Sequence, residues 1–297
     1  MMKKLTLMVL CCAALTATAQ EVSISDHARL LEGTQGRAYY PVLNASGDRL
    51  LFSDGNSGAL KMYDFNDNVT TTVTGGFVAG GDAVFGGDGN IYYVTQQVGA
   101  DRLVYRTARS YDISAKTSTA LTEPTHGAMR PMASTRSAAV KAPKRLHAAS
   151  NDLGTAVYVD GSTLNIVKDG TTSTFSPVAS QAGYLWASLS PDGTKTAFFA
   201  AGKGIVVTDL NGNVLAMLGN YEMPCWLNNN YIVAQNARDN GHQILSSQLM
   251  LLRADGTWQQ ELTPATSMAM QPTAANGKVV YSTIDGLLYQ MNVTVKE

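Results

Sequence analysis

The stretch that decides the fold is Leu189-Ser190-Pro191-Asp192-Gly193-Thr194-Lys195-Thr196-Ala197-Phe198-Phe199. A short apolar strand is followed by a tight polar turn and then by a second apolar strand. Versions of this phrase return six times along the chain, at the spacing of roughly 40 residues that marks stacked or ring-closed β architectures. The sequence therefore predicts an all-β fold with minimal helix.

The turns allow six units to be aligned, each with strands that we name A to D. The sixth unit lacks its own strand D, because the chain ends at Glu297 soon after strand C, whereas the segment Val22 to Leu31 belongs to no unit. We therefore expect Ala28-Arg29-Leu30-Leu31 to supply the missing outer strand. This closure predicts a six-bladed β-propeller with no large sheet edge left unpaired. The anchor residues of the six strands A are Pro41, Ala83, Ala148, Ala187, Pro224 and Pro272.

Two of the units resemble the repeat of TolB-like propellers. Ser190-Pro191-Asp192-Gly193 with Asp209-Leu210-Asn211-Gly212 matches that repeat well, and Pro224-Cys225-Trp226 with Arg253-Ala254-Asp255-Gly256 matches almost as well. The resemblance implies a six-bladed periplasmic propeller and specifies no catalytic residue. Nothing in the sequence resembles the separate N-terminal domain that TolB carries, so the protein partners of TolB do not transfer.

Residues 1–19 read as a signal peptide. Lys3 and Lys4 precede the apolar run Leu5 to Leu15, and Ala17-Thr18-Ala19 offers a cleavage site before Gln20. We expect residues 20–297 to form a single propeller domain that is periplasmic or secreted. A lipid anchor is not expected, because neither Cys11 nor Cys12 follows a small residue.

Composition and motifs argue against several classes of function. Removing Lys3 and Lys4 leaves 20 basic against 23 acidic residues, a net charge of −3, which disfavours nucleic acid as a partner. No Gly-x-Ser-x-Gly elbow occurs, so no catalytic residue is assigned. Cys225 is predicted to be a buried, unreactive thiol.

Metal binding finds little support either. The pattern Asp64, Asn66, Asn68 begins like a calcium loop, but Val69 stands where that loop needs glycine. We expect a polar turn there, and no metal or other cofactor. The histidines lack the spacing of metal ligands, and they are His27, His126, His147 and His242.

The residue before each anchor is expected at one rim of the central tunnel, where propeller ligands usually bind. These residues are varied and partly aromatic, as a recognition surface would be, although aromatic residues at strand starts also simply cover a core. The rim column is Tyr40, Asp82, His147, Trp186, Met223 and Gln271. Arg145, Tyr184 and Tyr221 lie two residues earlier and could extend it. Two positions after the anchors stand residues expected in the core between blades, namely Leu43, Phe85, Ser150, Leu189, Trp226 and Ala274.

Residues 123–147 form a basic insertion between blades 2 and 3. Five basic residues stand against Glu123 alone, a balance of +4. The insertion would project from the same rim, where it could meet an anionic ligand or an acidic partner, or remain a solvated loop. Its basic residues are Arg130, Arg136, Lys141, Lys144 and Arg145.

The sequence thus favours an exported, non-enzymatic and monomeric propeller that binds or scaffolds an envelope protein or an anionic glycan through its rim. The alternative is a tunnel-centred carbohydrate lyase or hydrolase, for which His147 and His126 are the candidate residues. A third possibility is a purely structural component of an envelope assembly.

Overall fold

A computed structural model of the chain describes residues 21–31, 36–76, 78–127, 149–150, 154–168 and 171–296, with the backbone alone at 78–82 and 149–150. These residues form 24 strands and one 3-10 turn, Ala265–Ser267. Within them, no helix has the length and apolar character needed to cross a membrane.

The strands form six antiparallel sheets of four strands each, which confirms the predicted six-bladed β-propeller. Blade 1 contains β2 (Ala38–Leu43), β3 (Arg49–Asp54), β4 (Leu60–Asp64) and β5 (Val69–Thr74). Blade 2 contains β6 (Val78–Phe85), β7 (Ile91–Val98), β8 (Val104–Asp112) and β9 (Thr117–Ala120). Blade 3 contains β10 (Ala149–Ser150), β11 (Thr155–Asp160), β12 (Thr163–Lys168) and β13 (Thr171–Phe175).

The remaining blades complete the ring. Blade 4 contains β14 (Tyr184–Leu189), β15 (Lys195–Ala200), β16 (Gly204–Asp209) and β17 (Val214–Met217). Blade 5 contains β18 (Glu222–Trp226), β19 (Tyr231–Asp239), β20 (Ile244–Arg253) and β21 (Gln259–Glu261). Blade 6 contains β22 (Ala269–Ala275), β23 (Lys278–Thr283), β24 (Leu288–Lys296) and, on its outer edge, β1 (Glu21–Arg29).

The second strand of each blade contains an unbroken apolar run, because both of its faces are buried along that run. In β3, Leu50 and Phe52 pack against blade 6, whereas Leu51 packs against blade 2. In β19, Tyr231 and Val233 face blade 6, and Ile232 faces blade 4. Alternate side chains of a strand point to opposite faces of the sheet, so an unbroken apolar run fills two interfaces.

Ring closure occurs in the predicted blade but with a longer strand. The sequence placed the closing strand at Ala28 to Leu31, whereas β1 spans Glu21–Arg29 and pairs with β24 from Glu21↔Lys296 to Arg29↔Tyr289. The boundary was wrong because Leu30 packs in the core between blades 6 and 1 beyond the strand's end. The alternating sequence before it supplies the actual strand.

The turns that join strand A to B and strand C to D lie on one face of the ring, which we call the lower face. Carboxylates in these turns accept hydrogen bonds from backbone N–H groups of the same turn. Asp209, for example, accepts from Asn211 and Asn213. The side-chain amide of Asn213 also donates to Asp209 and lowers its pKa. Asp64 caps a turn in the same way and pairs with Arg49 at 3.1 Å, so the predicted polar turn is present.

The repeated phrase is a turn of this kind. The Ser190 hydroxyl donates to Asp192 Oδ1 (2.6 Å) and accepts the N–H groups of Thr194 and Lys195. Asn229 of blade 5 accepts the Asp192 N–H at 2.9 Å, which ties the turn to the next blade.

Removing residues 21–31 should lower the melting temperature by roughly 10 °C, because β24 loses its partner strand and Leu30 leaves the core. Calorimetry of the shortened chain measures this. Lys296→Ala, which removes only the exposed ion pair with Glu21, should leave the melting temperature unchanged. An unchanged value for the shortened chain would refute the closure.

Ser190→Ala should cost about 1–3 kcal/mol of unfolding free energy, because the turn loses the buried Ser190 hydroxyl, which is one donor and one shared acceptor. Thr194→Ala, at an exposed position of the same turn, should cost at most about 0.5 kcal/mol. Urea unfolding of both variants tests the difference, and equal costs would contradict the structural role of Ser190.

Candidate functional site

The face opposite the turns just described, which we call the upper face, carries the beginnings of the innermost strands. The connections from strand D to strand A and the turns from strand B to strand C lie there. The chain leaves β9 at Ala120 and rejoins the inner strand of blade 3 at Ala149, so both ends of the long connection between them lie on this face.

Four residues of the rim column share one unusual backbone conformation. Tyr40, Trp186, Met223 and Gln271 have φ between 52° and 54°, in the left-handed region that non-glycine residues rarely enter. Each lies where the pairing of its inner strand with strand B shifts register, which is a β-bulge. Proline follows three of the four, and a bulge tolerates proline because it needs no backbone N–H there.

A bulge redirects a side chain away from the regular strand, and such strained positions concentrate at functional sites. Tyr40 is 41% exposed. Trp186 is half-buried, and its ring packs at 5.5 Å from that of Phe199. The repeated bulge therefore sets these two aromatic residues at the upper ends of the inner strands.

Other predicted site residues are placed differently. Tyr184 is 2% exposed, and its hydroxyl donates to the carbonyl of Val178, so its side chain is buried rather than exposed at the rim. Its apolar ring is needed in the core between blades 3 and 4. Tyr221 is half-buried and donates to Gln259. Asp82 lies on β6, where the structure describes only the backbone.

His147 and Arg145 lie outside the described residues, as does 128–147 of the insertion. His126 lies at the outer edge of blade 2, with its ring centroid 3.9 Å from that of Tyr105, so its candidacy for a tunnel site was wrong.

The upper face has two projections that sequence reasoning missed. In blades 1, 4 and 6 strand B ends opposite the start of the inner strand, as Ala200 does opposite Tyr184. In blade 2, β7 continues three residues past Thr95, and in blade 5, β19 continues four residues past Gln235. At about 3.3 Å per residue these hairpins rise roughly 10 and 13 Å above the rim. Blades 2 and 5 are opposite in a ring of six.

Exposed apolar side chains mark the same projections. Val98 and Leu103, at the hairpin of blade 2, are 69% and 52% exposed, and Leu245 of blade 5 is 56% exposed. Of the exposed large hydrophobic residues among the described side chains, those outside the outer strands all lie on the upper face. They are Tyr40, Val98, Leu103, Val104, Leu245 and Ile284.

The described charges of the hairpins are mixed rather than basic. Asp101 adjoins Arg102 in blade 2, and Arg238 adjoins Asp239 in blade 5. Glu222 is the one carboxylate among the described side chains of the inner strands, and burial, with Asp239 as a smaller cause, raises its pKa. Among the residues described, no three His, Cys, Asp or Glu side chains are grouped to hold a metal ion.

Cys225 is a partly buried residue with a free thiol, and its lack of reactivity stays a prediction. Its thiol donates to the carbonyl of Val233 at 3.5 Å, and burial raises the pKa of the thiol. A thiol that stays protonated is a poor nucleophile.

Comparison with known proteins supports the fold. No family model and no curated protein sequence matches the chain. Among solved structures, the β-propeller domain of Cps50 (Swd1) from Myceliophteria thermophila is 12% identical, with a TM-score of 0.62, over 92% of this chain and 100% of that one. TolB from Acinetobacter baumannii is 15% identical, with a TM-score of 0.52 over 76% of this chain, which spans 54% of TolB.

An enzyme also appears among the similar structures. Virginiamycin B lyase from Staphylococcus aureus is 7% identical, with a TM-score of 0.56, over 92% of this chain and 99% of that one. At these identities the similarities establish the β-propeller fold alone, and they carry no activity.

Asp54, in the upper turn of blade 1, makes the stability of the fold depend on pH. The Lys61 ammonium at 2.5 Å is the main cause that lowers the Asp54 pKa from 3.8 to about 2. A depressed carboxyl pKa contributes stability above pH 3.8, and this contribution is lost as pH falls through about 2.

Asp54→Asn keeps the Oδ1 acceptor for the Asn56 and Ser57 N–H groups but removes the charge. The variant should be about 2 kcal/mol less stable than the original chain at pH 6, with the difference vanishing near pH 2. Urea unfolding across this range measures it, and a gap that does not depend on pH would contradict the assignment.

Proposed function

We propose that this protein is a non-enzymatic scaffold that binds a protein partner through its upper face, in the periplasm or outside the cell. The observation that carries the proposal is the pair of opposed hairpins with exposed aliphatic side chains. Large exposed apolar groups gathered on one face mark protein interaction sites. The lower face differs, because no described large hydrophobic residue outside the outer strands is exposed there.

The hairpins favour a protein over an anionic glycan as the partner. Aliphatic residues such as Val98, Leu103 and Leu245 gain from burial against other apolar side chains. Their neighbouring charges are of both signs, so the described hairpins offer no basic patch for an anionic chain. Between the two hairpins lie the bulged residues Tyr40 and Trp186, which would form the floor of the contact.

Export rests on residues 1–19, whose charged start, apolar run and small-residue end have the pattern of a signal peptide. A leader of this kind would deliver the propeller to a compartment of envelope proteins. The lone Cys225 requires no disulfide partner there. Under this proposal, the basic insertion at 123–147 contacts acidic residues of the partner.

A photo-reactive amino acid placed at Leu103 or Leu245 should crosslink to one and the same protein in cells of the source organism. Both hairpins border the same surface, so one bound partner contacts both. The matched control is Val69, which is 53% exposed on the outer strand β5 and should give no such product. Mass spectrometry of the crosslinked species makes the comparison.

Three results would contradict the proposal. They are equal crosslinking at Val69, different partners at the two hairpins, and no product at either hairpin. Turnover of a polysaccharide by the purified protein, lost in His147→Ala, would instead support the lyase or hydrolase.

A further inference from the structure

Two glutamine side chains link three consecutive blades beneath the upper face. The backbone N–H of Gln271 in blade 6 donates to Gln235 Oε1 of blade 5 at 2.9 Å. The backbone N–H of Tyr40 in blade 1 donates to Gln271 Oε1, also at 2.9 Å. Each bond therefore runs from a bulged residue to a side chain of the preceding blade.

These bonds meet a need that the bulge creates. A bulge takes the backbone out of register with strand B and leaves N–H groups without an acceptor in the ladder, and the two glutamine oxygens supply one. Gln235 is 3% exposed, so its amide is held in a fixed place. Ser282 adds a hydroxyl that donates to Gln271 Oε1 at 2.9 Å, which fixes that side chain as well.

The arrangement is particular to these blades and does not come from the repeat. The residue equivalent to Gln235 in strand B is Phe199 in blade 4, Ser282 in blade 6 and Ser53 in blade 1. None of these places an amide oxygen where Gln235 does. The repeat alone therefore does not account for the glutamines.

We propose that Gln235 and Gln271 are positioning residues that form a relay, through which blade 5 sets the backbone of Tyr40 in blade 1. Gln235 holds the left-handed backbone of Gln271. That backbone sets the direction of the Gln271 side chain, whose oxygen in turn holds the Tyr40 N–H. The relay exists in the free protein, and only its consequence for partner binding at Tyr40 rests on the proposed function.

Amide hydrogen exchange followed by NMR in the free protein tests the relay. Gln271→Met has a similar length but no acceptor, so the Tyr40 amide should exchange at least tenfold faster. Gln271→Glu keeps an acceptor oxygen and should restore protection to within threefold. Gln235→Met should speed exchange of both the Gln271 and Tyr40 amides, although Gln235 touches only the first.

Distinct outcomes would overturn the relay. Unchanged exchange at Tyr40 in Gln235→Met would show that the two bonds are independent. Faster exchange in Gln271→Glu equal to that in Gln271→Met would show that the acceptor oxygen is irrelevant. A uniform rise that includes the buried strand β15 would show general loosening of the fold. Because no partner is present, failure here leaves the crosslinking result at the hairpins unaffected.

Discussion

Face-to-face packing of neighbouring sheets is the interaction on which the rest of the structure depends. Each blade buries apolar side chains on both faces, so no blade can cover its own surface, and each needs a neighbour on either side. A linear stack would leave two apolar faces in water, whereas a closed ring leaves none. The pairing of β1 with β24 and the packing of Leu30 between blades 6 and 1 complete this ring.

Closed packing also separates the two faces of the ring. In the lower turns, the side chains of Ser190 and Asp209 accept hydrogen bonds from backbone N–H groups of their own turn. The upper face instead carries left-handed bulges, two raised hairpins and exposed aliphatic groups. The two ends of the same strands thus differ in the apolar surface that they expose. The most recognisable motif of the sequence, around Ser190, lies at the lower end.

The sequence predicts the fold well because its information is local and repeated. The phrase around Ser190 defines blade 4, and its relatives define the others, so blade number and closure are confirmed.

The site is harder to predict because burial and register depend on neighbouring blades. Tyr184 reads as a rim residue but fills a core. Proline after Tyr40, Met223 and Gln271 was an available signal for bulges, and the long spacing between strands B and C in units 2 and 5 was a signal for the hairpins. The acceptor role of Gln235 had no such signal.

The closing strand has a consequence for the order of folding. Glu21 pairs with Lys296, so the contact that seals the ring joins segments at the two extremes of the described chain. Contacts this distant in sequence form slowly because a long loop must close first. During synthesis β1 emerges before any blade and must wait unpaired until blade 6 is made. Its charged and polar side chains, which alternate with Val22 and Ile24, then limit association of the waiting segment with other chains.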